Sequence, residues 1–311
     1  MPEAIHLPAS RDQVRHAGID VGGTKTHLAW SGPGLGEHEV IVPTRQWART
    51  SALQDPANLV HLAALVRNLA GDLRGASVVV GLHGGDTAEQ REAARRSLSG
   101  HLAAEVDVVN DAQLLGPAAG VGPCISVIAG TGAIVVGVDS TGGILTADGY
   151  GWLISDLGSA PAIARDAVIR VLRHADRHHP QAALADPLGR ALSEALGAGD
   201  TFELAASFSE QPSAAEWGAL APVVFDAALA GSVLAHEVID RSGHALADGV
   251  HAVLQRGAVA TSVVAAGGVI TNQPLLEQSL RRALESKEPR LPLHVLREPP
   301  VRGALALAKR L

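Results

Sequence analysis

Hydrophobic and polar positions divide the chain into elements before any residue acquires a role. His16–Val21 and Thr26–Trp30 read as strands joined by a Gly-Gly turn, and Glu37–Val42 reads as a third. Leu59, Leu62, Ala63, Val66 and Leu69 then recur at helical spacing, with Asp55 placed to cap the helix and Pro56 at its first position. Ala76–Leu82 is a short β-branched run of the kind buried in a sheet. Thr87-x-x-Gln90 has the form of a capping box for a charged helix reaching about Leu98, and Glu105–Val109 is the next strand. The predicted order is βββαβαβ.

The same order begins again in the second half. Ile125–Ala129 is a strand, Gly130-Thr131-Gly132 a turn, Ala133–Val138 a strand, and a third strand lies near Gly143–Thr146, which points to a duplication. Ile163, Ala167, Val168, Val171 and Leu172 form an apolar stripe with Arg165, Asp166, Arg170 and Arg173 opposite, and Ser159 stands where a cap belongs. From about Asp176 to Ser213, Pro180, Pro187, Pro212 and several glycines leave room only for short helices. Long helical patterns cover Ala214–Ala230 and Ser232–Arg256, Thr261–Ala266 is a buried strand, Pro274–Leu284 a helix and Leu291–Leu296 a last strand. Two βββαβαβ units make an α/β protein.

Composition agrees and narrows the chemistry. Of 311 residues 47% are apolar and only 3% aromatic, with 34 glycines, a mixture suited to closely packed parallel strands and helices. Lys plus Arg number 25 against 32 Asp plus Glu, for a net charge of −7, the opposite of a nucleic-acid-binding surface. One cysteine, Cys124, excludes disulfide frameworks, cysteine-type zinc sites and an iron–sulfur cluster held within one chain, and fits a reduced compartment. Met1 to Arg15 has no apolar stretch of signal-peptide length, and no run reaches the roughly 18 residues of a membrane span, so no membrane partner and a cytoplasmic location are expected.

The chemistry concentrates at the turns. In Gly18-Ile-Asp20-Val-Gly22-Gly23-Thr24-Lys25 a strand ends in an acid and enters a glycine turn. Backbone amides of Gly22 and Gly23 can converge on phosphate oxygens, Thr24 and Lys25 can add donors, and Asp20 can face a bridging metal ion. It is no Walker loop, because Thr24 stands where the lysine must be and a strand follows; an ordinary hairpin turn is the alternative. Gly130-Thr131-Gly132 occupies the corresponding turn of the second unit, so the two turns are expected to face each other across a cleft and clamp a nucleotide. Gly267-Gly268-Val269 follows a buried strand, the place where an adenosine fits, or else where a tight connection needs glycine.

Asp111, at the end of a buried strand after Asn110, is the candidate base for a substrate hydroxyl attacking a γ-phosphate; the alternative is that it caps the following helix. Asp156, in the glycine-rich loop that includes Gly149, can bind sugar hydroxyls, and His83 follows a strand aimed at the same region. His174, His178 and His179 suit the C-terminus of a basic helix better than a metal. Trp47 and Trp152 serve either as sugar platforms or as packing.

Taken together, these residues resemble the BadF/BadG/BcrA/BcrD group of the actin-like ATPase superfamily, which includes N-acetylglucosamine and bacterial glucosamine kinases. Gly18-Ile-Asp-Val-Gly-Gly-Thr-Lys is similar to its first phosphate motif, Asn110-Asp111-Ala112 to its catalytic aspartate motif and Ala129-Gly-Thr-Gly-Ala to its second phosphate motif. Ile154-Ser-Asp-Leu-Gly-Ser159 resembles its sugar loop, and Ala266-Gly-Gly-Val269 its adenosine motif. The resemblance implies two ribonuclease-H-like lobes, residues 1–112 and 113–297, with the terminal helix, about 298–311, returning to the first. It further implies ATP and Mg²⁺ in the cleft, Asp111 as base, Asp20 orienting Mg²⁺ through water, and phosphorylation of the 6-hydroxyl of an amino sugar by a homodimeric enzyme. Thr44, Arg45, His83, Gly84, Asn110, Gly149 and Asp156 fall at its substrate positions. Thr44-Arg45, His83-Gly84 and Leu157 depart from the pattern of N-acetylglucosamine kinases and leave the sugar and its N-acyl state open. Two other kinds of member remain as alternatives: dehydratase activators, whose paired cysteines this chain lacks, and non-catalytic sugar sensors, in which an acid such as Asp111 is usually lost.

Overall fold

The computed structural model describes residues 14–210 and 213–311, so the polar leader and Pro212 lie outside the described residues. The chain divides into two compact units, one made of the described residues up to Gly120 together with Glu298–Leu311, the other of Val121–Arg297.

Unit 1 is built on β1 (His16–Val21), β2 (Lys25–Gly32), β3 (Gly36–Pro43), α1 (Pro56–Ala70), β4 (Ser77–Leu82), α2 (Ala88–Leu102) and β5 (Glu105–Asn110), followed by a 3-10 turn at Asp111–Leu114 and the single turn α3 (Leu115–Ala118). The strands form one sheet in the order β3-β2-β1-β4-β5, with β1 antiparallel to β2 and parallel to β4. Ile19, Val78, Val80 and Leu82 from the strands and Leu59, Leu62 and Leu98 from the helices are fully buried together, each side chain worth roughly 1.5–3 kcal/mol of transfer from water. The capping box at Thr87 forms: its hydroxyl accepts from the Gln90 amide at 3.2 Å and the Gln90 side chain accepts from the Thr87 amide at 2.9 Å. Asp55 does hold the cap position of α1, yet its carboxylate accepts from the Thr50 hydroxyl at 2.7 Å instead of from the helix.

Unit 2 repeats the plan with β6 (Cys124–Ala129), β7 (Ala133–Val138) and β8 (Ile144–Asp148). Seven helices then intervene: α4 (Ala160–Arg177), α5 (Pro180–Ala185), α6 (Pro187–Leu196), α7 (Thr201–Ser209), α8 (Ala214–Ala219), α9 (Ala221–Leu229) and α10 (Val233–Gln255). β9 (Ser262–Ala266), α11 (Gly268–Asn272), α12 (Pro274–Lys287) and β10 (Leu293–Val295) complete the unit. Its sheet runs β10-β9-β6-β7-β8, which matches the first sheet strand for strand, so the duplicated α/β plan is borne out. The continuous helix expected over Ala214–Ala230 is broken in two, because Pro222 in the first turn of α9 has no amide to carry the helical ladder across. Ser159 caps α4 as expected, accepting from the Ala162 amide at 3.3 Å. No single described helix is long and apolar enough to cross a membrane.

The last helix, α13 (Val301–Ala308), belongs to unit 1, where Val301 and Leu305 pack on Ala29 and Ala304 on Val79. The approach is so close that a Cβ at Gly18 would strike the Leu305 backbone. Gly18 is therefore a packing glycine, separate in role from the turn that follows it.

Candidate active site

In unit 1 the site collects at the carboxyl ends of three neighbouring strands, the customary ligand side of such sheets. Asp20 is the penultimate residue of β1, His83 follows β4 and Asp111 follows β5. The competing role for Asp111 falls to its neighbour. Asn110 caps the 3-10 turn, its side chain accepting from the Ala112 amide at 3.0 Å while the Gln113 side chain accepts from the Asn110 amide at 2.9 Å. Asn110 Nδ2 also donates to Asp86 Oδ1 at 2.9 Å, so both ends of its buried amide are engaged within the protein.

Asp111 keeps one oxygen, Oδ1, on the Ala112 amide at 3.0 Å and the other, Oδ2, 3.2 Å from His83 Nδ1. The electrostatics follow from this crowding. Burial raises the Asp20 carboxyl to about 7, the negative charge of Asp111 adds to the rise, and Lys25 and His83 oppose it. His83 is pushed above its ordinary value by its hydrogen bond to Asp111, against the opposing effect of burial.

The glycine turn is braced from below by Thr44, a buried residue placed among the sequence-level substrate candidates. Its hydroxyl donates to the Gly22 carbonyl at 2.7 Å and lies 3.0 Å from Thr26 Oγ1, and its amide donates to the Thr24 carbonyl at 2.9 Å. Trp47, buried, donates its indole N–H to Thr26 Oγ1 at 2.9 Å, which decides for packing over a sugar platform. On the outer side, Gly23, Thr24, Lys25, Ile41, Pro43 and Arg45 line a pocket of about 530 Å³. Gly84 sits beside the Gln54 side chain with φ +79°.

In unit 2 two of the glycine stretches meet. A Cβ on Gly130 would lie 3.3 Å from the Gly268 amide, and Gly267 at φ +112° packs directly on the Ala129 carbonyl. The Gly130 carbonyl also accepts from the Ala160 amide at 2.8 Å, which fixes the start of α4 beneath the turn. Gly132, Thr131 and Gly268 are exposed, while the Val269 side chain is buried in the core of the unit.

Asp156 is also buried. Its carboxylate accepts from the Gly151 amide at 2.9 Å and from the Ala133 amide, and burial raises its pKa above the usual carboxylate range. It acts as a strut tying the Gly149–Gly158 loop to the Gly130–Gly132 turn. Gly149, at φ +81°, packs on Ile134, and Trp152 stacks edge-on against Trp217 at 4.9 Å. Among the described residues no group of three His, Cys, Asp or Glu is arranged to hold a metal ion, and His174 and His178 simply lie ring against ring at 4.4 Å.

Sequence reasoning passed over Asp86, which steadies Asn110, and Asp148, whose carboxylate accepts from the Asp156 and Leu157 amides at 3.1 and 2.7 Å. The Asn110-x-x-Gln113 spacing was the available signal for the cap, since it repeats the pattern used at Thr87-x-x-Gln90.

Against known proteins, the BadF/BadG/BcrA/BcrD ATPase family model matches residues 17–306. No curated protein sequence matches the chain. Among solved structures, a candidate N-acetylglucosamine kinase from Chromobacterium violaceum is 23% identical with a TM-score of 0.61, over 95% of this chain and 99% of that one. A second candidate N-acetylglucosamine kinase, from Porphyromonas gingivalis, is 16% identical with a TM-score of 0.61, over 94% and 98% of the two chains. A ROK family glucokinase from Streptomyces griseus, solved with glucose and AMPPNP, is 16% identical with a TM-score of 0.52, over 96% and 98%. At these identities the likeness is one of fold.

Proposed function

From the premise that the chain belongs to the BadF/BadG/BcrA/BcrD ATPase family, we propose that it is an ATP-dependent kinase that phosphorylates the 6-hydroxyl of an amino sugar. The observation that carries this reading is the place of Asp111 at the end of β5: Asn110 forms the capping box, and the Asp111 carboxylate, with one oxygen on the Ala112 amide and the other beside His83, retains lone pairs with which to take a proton. In the reaction Asp111 accepts the hydroxyl proton as the sugar oxygen bonds to the γ-phosphorus and the bond to the β,γ-bridging oxygen of ATP breaks, leaving ADP and a sugar phosphate. Unit 1 supplies Asp111 and the Gly22–Lys25 turn. Within unit 2, taken by itself, the reading gives the Gly130–Gly132 turn to phosphates and Gly267-Gly268 to the adenosine side. Exposed Arg45 and half-buried Gly84 are left as the acceptor-side contacts of unit 1, whereas Thr44, Asn110 and Asp156 hold other parts of the site in place.

The donor set fits Mg²⁺. Asp20 carries a carboxyl raised to about 7 partly by the charge of Asp111, a repulsion that a hard divalent cation relieves, and one carboxylate with phosphates and water is the usual ligand set for this ion. When bound, the ion supplies charge neutralisation on the phosphates.

Release of ADP from Mg·ATP in the presence of glucosamine, N-acetylglucosamine, N-acetylmannosamine or glucose tests the proposal. Turnover on an amino sugar that vanishes in Asp111→Asn supports it, whereas absence of stimulation by every sugar, or full activity in Asp111→Asn, overturns it.

A further inference from the structure

We infer that His83 is a positioning residue for Asp111, holding the carboxylate in the one orientation from which it can take the acceptor proton. The inference deepens the kinase reading and rests on it.

Two consecutive residues at the end of β5 are tied to one loop after β4. Asn110 Nδ2 reaches Asp86 Oδ1 at 2.9 Å, and Asp111 Oδ2 lies 3.2 Å from His83 Nδ1. The loop is itself anchored, since the His83 amide donates to the Val21 carbonyl at 2.9 Å and Arg91 Nη1 donates to the Gly85 and Asp86 carbonyls at 3.0 and 3.1 Å. His83 is thus no free surface imidazole. Its backbone is pinned to the end of β1 while its ring closes on Asp111.

The tie matters because of what holds the other oxygen. Asp111 Oδ1 accepts from the Ala112 amide, a single contact that still lets the carboxylate rock about that one hydrogen bond. A second contact at Oδ2 removes that freedom, and rotation of a base by even a fraction of an ångström out of line is costly to a proton transfer. The charged groups facing His83 are Asp111, Asp86 and Asp20, all acids. An imidazole that donates from Nδ1 suits that surrounding, and with the ring 60% exposed its second nitrogen can be reached by water.

Three measurements on the full chain test this. In His83→Ala, kcat is expected to fall about 10- to 100-fold while the acceptor KM and the unfolding midpoint stay near wild type. His83→Asn, whose side-chain N–H lies close to the lost Nδ1, is expected to recover much of kcat. The third measurement needs no turnover: the NMR titration of the His83 ring is expected to move to lower pH in Asp111→Asn. Wild-type kcat in His83→Ala sinks the inference. So does a rise in acceptor KM with kcat unchanged, which makes His83 a substrate contact, and so does a ring titration indifferent to Asp111→Asn. If the wild type turns over no acceptor, it is the kinase reading that fails, and the His83–Asp111 tie is still decided by the titration.

Discussion

Unit 1 and unit 2 share one strand order, yet the ends of matching strands carry different chemistry. β1 closes on Asp20-Val21-Gly22, and β6 in the same place closes on Ile128-Ala129-Gly130; β4 leads into His83, and β9 into Gly267. The first unit therefore gathers ionisable side chains whose charges are set by burial and by one another. The second presents backbone, and at Gly267 the Ala129 carbonyl lies so close that a side chain has no room. A proton has to be moved by a group that titrates, while an anion can be held by amides that do not. Damage to the two halves should accordingly differ in kind: loss of charge at constant shape for unit 1, gain of volume at constant charge for unit 2.

The largest expected effect lies in unit 1. Asp111→Asn keeps the shape of the side chain and removes the proposed base, so kcat for sugar-dependent ADP release should drop about 10²–10⁴-fold with the unfolding midpoint unchanged. A comparable loss of kcat from any single change of side chain in unit 2 would break the comparison. Next comes Asp20, whose folded pKa of about 7 exceeds the ordinary aspartate value of 3.8. Below about pH 4 the carboxyl is protonated in both states and costs nothing. Between pH 4 and 7 the unfolded chain ionises first and gains stability relative to the folded one, and above pH 7 the cost is constant at about 2–4 kcal/mol. Asp20→Asn should therefore unfold at higher urea than wild type at pH 8 and match it at pH 4, while losing turnover. Equal denaturant midpoints at both pH values would show that the carboxylate is not strained by its surroundings.

How much of this was legible in the chain differs between the units for the same reason. Strand order was readable in both, because β-branched runs and glycine turns are local signals. Asp20 and Asp111 were readable as acids at strand ends, but which residue caps the turn after β5 was not, since Asn110 and Asp111 are adjacent and both cap helices well. The buried roles of Thr44 and Asp156 stayed hidden because each depends on a partner far along the chain, the Gly22 carbonyl for one and the Ala133 amide for the other. The contact of Gly130 with Gly267-Gly268 was invisible for that reason too, as more than a hundred residues and seven helices separate them. In the sequence Trp47 stands open between platform and packing for the same reason, since the bond of its indole to Thr26 inside the core is not a local signal.

Gly267→Ala probes unit 2 directly. A φ of +112° is strained for any residue with a Cβ, and here the Cβ would also strike the Ala129 carbonyl, so a loss of about 1–3 kcal/mol in urea unfolding is expected, with nucleotide affinity falling more than kcat. An unchanged nucleotide affinity would detach these glycines from ligand binding and leave them as packing alone.

The smallest effect separates the two glycine turns by the way each is braced. In unit 1 the brace is a side chain, the Thr44 hydroxyl on the Gly22 carbonyl at 2.7 Å; in unit 2 it is the Ala160 amide on the Gly130 carbonyl at 2.8 Å, which no substitution short of proline removes. Thr44→Val keeps the shape and deletes the hydroxyl, at a cost of about 1 kcal/mol for a lost hydrogen bond. Because that bond fixes the Gly22 carbonyl and so the direction of the amides after it, the loss should appear as a rise of up to about tenfold in the KM for Mg·ATP, with acceptor KM unaltered. A rise in acceptor KM instead would place Thr44 against the sugar and make the unit 1 turn as independent of side chains as its counterpart in unit 2.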